Sequence, residues 1–217
     1  MNPATITPPP AQPPVPAATP VAAPLATPPA GPQPHRWTLA EYHELYKTGL
    51  FQDRRVMLLD GVLYVMVVPN PPHDTSLSLA YEFLRATFPT GYYVRNQQGF
   101  DIGTQNDPGP DLAVVTGSIR DYANRTPTTA VMVVEVAETS LALDTTKKAE
   151  LYATAGVPEY WVIDVVNRQL HVFRDPQPLP IGLGAIAYRT HQTLGAADTV
   201  SPVAAPSATV TVSDLLP

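Results

Sequence analysis

The sequence contains no cysteine. Disulfides, thiolate zinc sites and a cysteine nucleophile are thereby excluded, which fits a reducing, cytoplasmic setting. Residues 1–34 hold no Asp, Glu, Lys or Arg, so the whole formal net charge of -6 falls on residues 35–217. An acidic chain is a poor general trap for polyphosphate. A nucleic-acid partner would need a local basic strip, or metal ions that offset the carboxylates. There is no run of about 18 apolar residues, so no membrane span is expected. Residues 1–34 also lack the basic start and continuous apolar stretch of a signal peptide.

What is abundant is proline, and it is concentrated: 13 of the 27 prolines lie in residues 1–34, among alanine and threonine. Proline removes backbone donors and disfavours helix and central strand. With Ile6 and Leu25 as the main large apolar side chains, burial cannot offset the entropy of ordering this segment. Residues 1–34 therefore read as a disordered, partly polyproline-II tail that serves as a spacer. Residues 35–217 read as one domain, and a hydrophobic content of 44% is enough for a core.

Order is expected from Trp37. Thr38 and Glu41 have capping-box spacing ahead of a helix whose Leu39, Tyr42, Leu45 and Tyr46 recur at helical intervals. Val56 to Leu59 and Val62 to Val68 are apolar strand runs, and the Asp60-Gly61 between them is a strong hairpin signal. Pro69 to Pro72 reads as a break, followed by a helix from Ser76 to Phe88. Short strands are expected at Tyr92 to Asn96 and Gly99 to Ile102, and stronger ones at Leu112 to Val115 and Ala130 to Ala137. The last is apolar on both faces, as a central strand is. A helix from Asp144 to Ala155 precedes strands at Tyr160 to Val165 and Leu170 to Phe173, with edge strands at Tyr188 to Thr193 and Thr209 to Val212.

Two carboxylates stand where strands should be buried. Asp111 opens an apolar run, and Glu135 interrupts Val133-Val134 before Val136. A lone carboxylate in an apolar strand costs several kcal/mol unless it is paired or bound to metal. On neighbouring strands the two could share one hard divalent cation, with water completing its shell. Lys148 lies on one helical stripe with Tyr152 and Ala155. Lys147, rotated by about 100°, should face solvent. Lys148 could then reach the carboxylates and orient a water, or stabilise charge on phosphate. Taken singly, Asp111 after a proline reads as a turn residue and Lys148 as a salt-bridge partner; only the combination is informative.

Asp111, Glu135 and Lys148 resemble the metal-binding and catalytic set of the PD-(D/E)XK nuclease superfamily. More closely, the chain resembles the Uma-type restriction endonucleases common in bacterial genomes. The stretches that carry the likeness are Arg36-Trp37-Thr38, Leu58-Leu59-Asp60-Gly61, Pro110 to Val115 and Val134-Glu135-Val136. The most specific runs from Lys148 through Gly156-Val157-Pro158-Glu159-Tyr160-Trp161. The resemblance implies a restriction-endonuclease-like α/β fold, a mixed sheet flanked by helices, with the lysine on the helix after the glutamate strand. It implies Mg2+ or Mn2+ held by Asp111 and Glu135, nucleic acid (DNA) as substrate, and a homodimer. His73 and Gln97 match family positions with a substrate or supporting role. Asp144 reads as a helix cap, and Glu159, Tyr160 and Trp161 as scaffold. One departure stands out. Relatives carry a glutamate three residues before the hairpin Asp-Gly, where this chain has Met57.

Two further readings compete with a metal-dependent endonuclease. One is a non-catalytic binding or interaction module that kept the fold, favoured by Met57 and the acidic balance. The other is a sugar hydrolase with two carboxylates, which needs an aromatic cleft that Trp37 and Trp161 do not supply.

Overall fold

The computed structural model describes residues 31–180 and 185–217. The expected disordered tail lies, for residues 1–30, outside the described residues. Thr38 caps helix α1 (Leu39–Lys47). Its hydroxyl accepts from the Glu41 N–H at 3.3 Å, and its own N–H donates to Glu41 Oε2 at 2.8 Å. Strands β1 (Val56–Leu59) and β2 (Val62–Val65) form the antiparallel hairpin. Asp60 and Gly61 turn it with φ of 47° and 71°, the left-handed pair that matches strand twist. A side chain at Gly61 would meet the Trp37 carbonyl oxygen at 3.0 Å, so the chain entering α1 also requires glycine there. β2 stops three residues short of the expected Val68, because β1 begins only at Val56 and offers no partner opposite Val67 and Val68.

Helix α2 spans Pro71–Thr87, starting five residues earlier than expected. The prolines do not break it. Asn70 caps it by accepting from the His73 N–H at 3.2 Å, and Pro71 and Pro72 fill first-turn positions whose N–H groups would have no helical partner.

The main sheet has six strands in chain order: β3 (Tyr92–Asn96), β4 (Leu112–Thr116), β5 (Met132–Ala137), β6 (Glu159–Asp164), β7 (Gln169–Pro178) and β8 (Ile186–Gly195). All neighbours are antiparallel except β5 and β6. A parallel pair needs a crossover, and helix α3 (141–154) supplies it. The helix is built from an α turn (Leu141–Leu143), a π segment (Asp144–Lys148) and an α segment (Ala149–Thr154). A hairpin of β9 (Thr199–Val200) and β10 (Val210–Thr211) and a 3-10 turn (Val212–Leu215) end the chain. The strand expected at Gly99 to Ile102 is absent. Its backbone groups bond instead to the Asp107 side chain, to the Pro127 carbonyl and, through a single bridge, to Asn106.

Each sheet face is covered. One packs Leu112, Val114, Val134 and Trp161 against α2 and the C-terminal residues. The other packs Ala113, Val115, Val133 and Val162 against α3, Met57 and Phe100. β5 is therefore buried along its whole length, and Glu135 lies on the α3 side.

Glu159, Tyr160 and Trp161 are built into this scaffold. The buried Glu159 carboxylate accepts from the Trp161 indole at 2.9 Å and the Arg174 Nε at 2.8 Å. It also accepts from the Val203 N–H at 2.7 Å, which ties the sheet to the C-terminal loop.

Candidate active site

The β4–β5 register pairs Leu112 with Val134 and Ala113 with Val133, which sets Asp111 opposite Glu135. The Asp111 N–H donates to Glu135 Oε2 at 3.3 Å, and the Val136 N–H donates to Asp111 Oδ2 at 2.9 Å. Both acids are buried. Just past the end of β3, the Gln97 Nε2 donates to Asp111 Oδ1 at 3.2 Å, while its N–H holds the Asp111 carbonyl at 2.9 Å. Gln97 makes both contacts from φ 52°, a left-handed conformation that costs a non-glycine residue energy and clusters at functional sites.

Helix α3 brings Lys148 in. Its Nζ lies 2.9 Å from Glu135 Oε1 and 3.2 Å from Asp144 Oδ1, and all three side chains are almost fully enclosed. Asp144 is not a cap. The helix starts at Leu141, before the expected position, and the π segment turns Asp144 and Lys148 inward together. π segments inside helices recur at functional sites. Ser140 Oγ donates to Asp144 Oδ2 at 2.5 Å. Lys147 points away from the carboxylates but is not simply solvated, since it meets Asp60 of the hairpin turn at 2.7 Å. From α2, His73 Nε2 comes within 3.4 Å of Asp111 Oδ2.

Reasoning from the sequence placed Tyr152 on the Lys148 stripe but gave it no role. Its hydroxyl donates to Glu135 Oε1 at 2.6 Å. Glu138, also unassigned from sequence, accepts from the Asn70 cap at 2.5 Å. A cavity of about 540 Å³ opens over the group, lined by Met57, His73, Asp111, Glu135, Glu138 and Lys148 among others.

Charge in this enclosure is unevenly held. Burial pushes the Glu135 carboxyl up to about 8, against the pull of Lys148. Burial also works against the Lys148 ammonium, but Glu135, Asp144 and Asp111 outweigh it and hold its pKa above the ordinary lysine value. For Asp111, burial is overcome by the His73 hydrogen bond, Lys148 and the Val136 N–H, and its pKa falls below the usual range. The Asp111 bond in turn raises His73. A low-pKa and a high-pKa carboxyl side by side, with an ammonium held between acids, is an arrangement suited to binding a cation and managing a proton.

A mixed sheet with opposed acids on its antiparallel β4–β5 pair, and a lysine on the crossover helix, defines a restriction-endonuclease-like α/β protein. Residues 39–213 match the Uma2 family, described as a putative restriction endonuclease, and the chain belongs to that family. Among solved structures it is similar to a putative nuclease belonging to DUF820 from Anabaena variabilis, at 15% identity and a TM-score of 0.66. The likeness covers 82% of this chain and 96% of that one, and at such identity it speaks for the fold alone. No curated protein matches the chain.

Proposed function

We propose that the protein is a metal-dependent endonuclease that hydrolyses phosphodiester bonds in nucleic acid, with DNA as its substrate. The observation that carries this reading is the direct opposition of Asp111 and Glu135, with Lys148 Nζ 2.9 Å from Glu135 Oε1. The donor set suits a hard divalent cation. Asp111 Oδ1 and Glu135 Oε2 each accept one hydrogen bond, which leaves lone pairs free for Mg2+ or Mn2+, with water completing the shell. Such an ion supplies Lewis acidity at a phosphoryl oxygen and a bound water of lowered pKa.

The chain's own groups do the rest. Lys148, fixed by Glu135 and Asp144, steadies negative charge as it grows on the phosphate. Gln97 and the Val136 N–H hold the Asp111 carboxylate in place. His73, whose pKa the Asp111 hydrogen bond raises, can hold a proton beside that acid. The protein acts in the cytoplasm as a homodimer, so that two such sites meet the two strands of a duplex.

A second reading, a non-catalytic binding or interaction module, is favoured by one observation: the thioether of Met57 lines the cleft and cannot ligate magnesium. A nuclease assay separates the two readings. Supercoiled plasmid, single-stranded DNA and RNA are incubated with the protein and Mg2+, Mn2+ or EDTA. We expect metal-dependent cleavage of DNA, reduced on the order of 100-fold or more by Asp111→Ala, in line with the weight of a metal ligand in hydrolysis. No cleavage of any substrate with either ion would favour the binding module.

A further inference from the structure

A second group of metal-ligating side chains lies outside the cleft and is independent of the function proposed above. His43 on α1, with Asp101 and Asp107 on either side of the turn closed by the Ile102–Asn106 bridge, offer one ligand atom each. All three atoms lie within 4.8 Å of one another. His43 Nε2 is 3.6 Å from Asp101 Oδ1. Two ligands bonded at about 2.1 Å and a tetrahedral angle sit about 3.4 Å apart, so this pair is close to chelating distance.

Three features go beyond a chance gathering of acids. First, Asp101 Oδ1, the atom that faces His43, is fully enclosed and has no hydrogen-bond partner. An orphaned carboxylate oxygen of this kind is costly unless something positive meets it. Second, Asp107 is only 9% exposed, and the Phe100 and Gly109 N–H groups fix its Oδ1 at 2.9 and 3.3 Å. Third, apart from His43 itself, no lysine or arginine pairs with either acid among the described residues. Arg95 is buried nearby, but its Nη2 donates to the Gly99 carbonyl at 3.2 Å, its guanidinium lies over Tyr93 and Tyr122, and it forms no ion pair with either acid among the described residues.

We infer that His43, Asp101 and Asp107 form a structural site for a first-row divalent transition metal, with zinc the best fit. An imidazole ligand selects zinc, cobalt or nickel over magnesium. The partly exposed His43 leaves room for water in the remaining position. The ion would fasten α1 to the segment that pairs with β1 through Leu58 and Asp107 and then leads into Asp111.

The test uses the full chain, stripped with EDTA and desalted, with Asp111→Asn to silence the cleft and a second variant that adds His43→Gln. Zn2+ is titrated calorimetrically, Co2+ absorption reports imidazole ligation, and thermal melting reads stabilisation. We expect Asp111→Asn to bind one Zn2+ per chain and melt several degrees higher with it, while Mg2+ does not raise its melting temperature. Adding His43→Gln should weaken Zn2+ at least about tenfold, the scale on which even outer-shell partners count, and remove the Co2+ signature. Because His43 is partly exposed, this variant should fold even if Asp101→Asn does not. The inference is overturned if Asp111→Asn binds no Zn2+, or if His43→Gln leaves affinity and melting shift unchanged.

Discussion

Glu135 is a buried carboxyl whose pKa burial raises. It lies between Val134 and Val136 on a strand buried on both faces, and three groups meet its carboxyl oxygens: Lys148, the Tyr152 hydroxyl and the Asp111 N–H. Tyr152 is the contact whose removal is simplest to interpret, because phenylalanine keeps the ring against Phe100 and Tyr160. Tyr152→Phe should cost about 1–3 kcal/mol, the range for leaving a buried polar group without its hydrogen-bond partner. In a domain of this size that lowers the melting temperature by roughly 2–4 °C per kcal/mol, which calorimetry would register. An unchanged melting temperature would mean that Lys148 alone satisfies Glu135 Oε1. Met57 poses the opposite case, a position where charge is missing. Its side chain lines the cleft, so Met57→Glu places a third carboxylate beside Asp111 and Glu135. Titration with Mn2+ should then show at least about tenfold tighter binding, and nuclease turnover should rise with it. Equal affinity in the two proteins would show that residue 57 does not reach the ion.

At the scale of elements, the legible parts were those where a local pattern decided the outcome. The Asp60-Gly61 turn, the Thr38–Glu41 box and the apolar run of β5 each depend on a few adjacent residues; the first two formed where they were read, and β5 formed from Met132 instead of Ala130. The two acids were legible for the same reason, a charge set in an apolar strand. What escaped depended on long-range partners. Pro71 and Pro72 looked like breakers until Asn70 capped the helix that contains them. Asp144 looked like a cap because a π segment leaves no mark in hydrophobic spacing. β2 lost its last residues to the length of β1, and the loop from Gly99 to Gly109 took its bonds from the Asp107 side chain instead of a neighbouring strand. His43, Asp101 and Asp107 come together only through tertiary packing.

The α1 capping box also sets a pH dependence. The Thr38 N–H, and then its hydroxyl, hold the Glu41 carboxyl below its ordinary pKa. A carboxyl lowered by folding stabilises the native state above its unfolded value, near 4.5, and that contribution disappears as pH falls through the folded value. Glu41→Ala should therefore melt below the wild type at pH 7, and the gap should narrow as the pH falls below 4.5. A gap that does not narrow in acid would mean that residue 41 acts through packing and not through charge.

For the molecule as a whole, the question is where the stabilising contacts begin. Trp37 donates its N–H to the Gly61 carbonyl at 2.9 Å, and Leu39 donates to the Thr104 carbonyl at 2.8 Å. His35 reaches Glu41 at 3.3 Å and packs its ring on Trp37. A chain cut after Pro34 keeps every one of these contacts. What it loses is 34 uncharged residues, proline-rich and poor in large apolar side chains, which have little surface to bury and no charge to pair. Removing residues 1–34 should therefore shift the melting temperature by no more than about 2 °C, as surface changes away from caps, cores and networks do. It should also leave metal-dependent cleavage unchanged, since the acids, Lys148, His73 and Gln97 all lie in residues 35–217. A larger loss of stability would show that the proline-rich segment packs on the domain. If stability held while DNA affinity fell, the segment would instead be part of the substrate surface, and its lack of charge would make a weakly salt-dependent contact the one to look for.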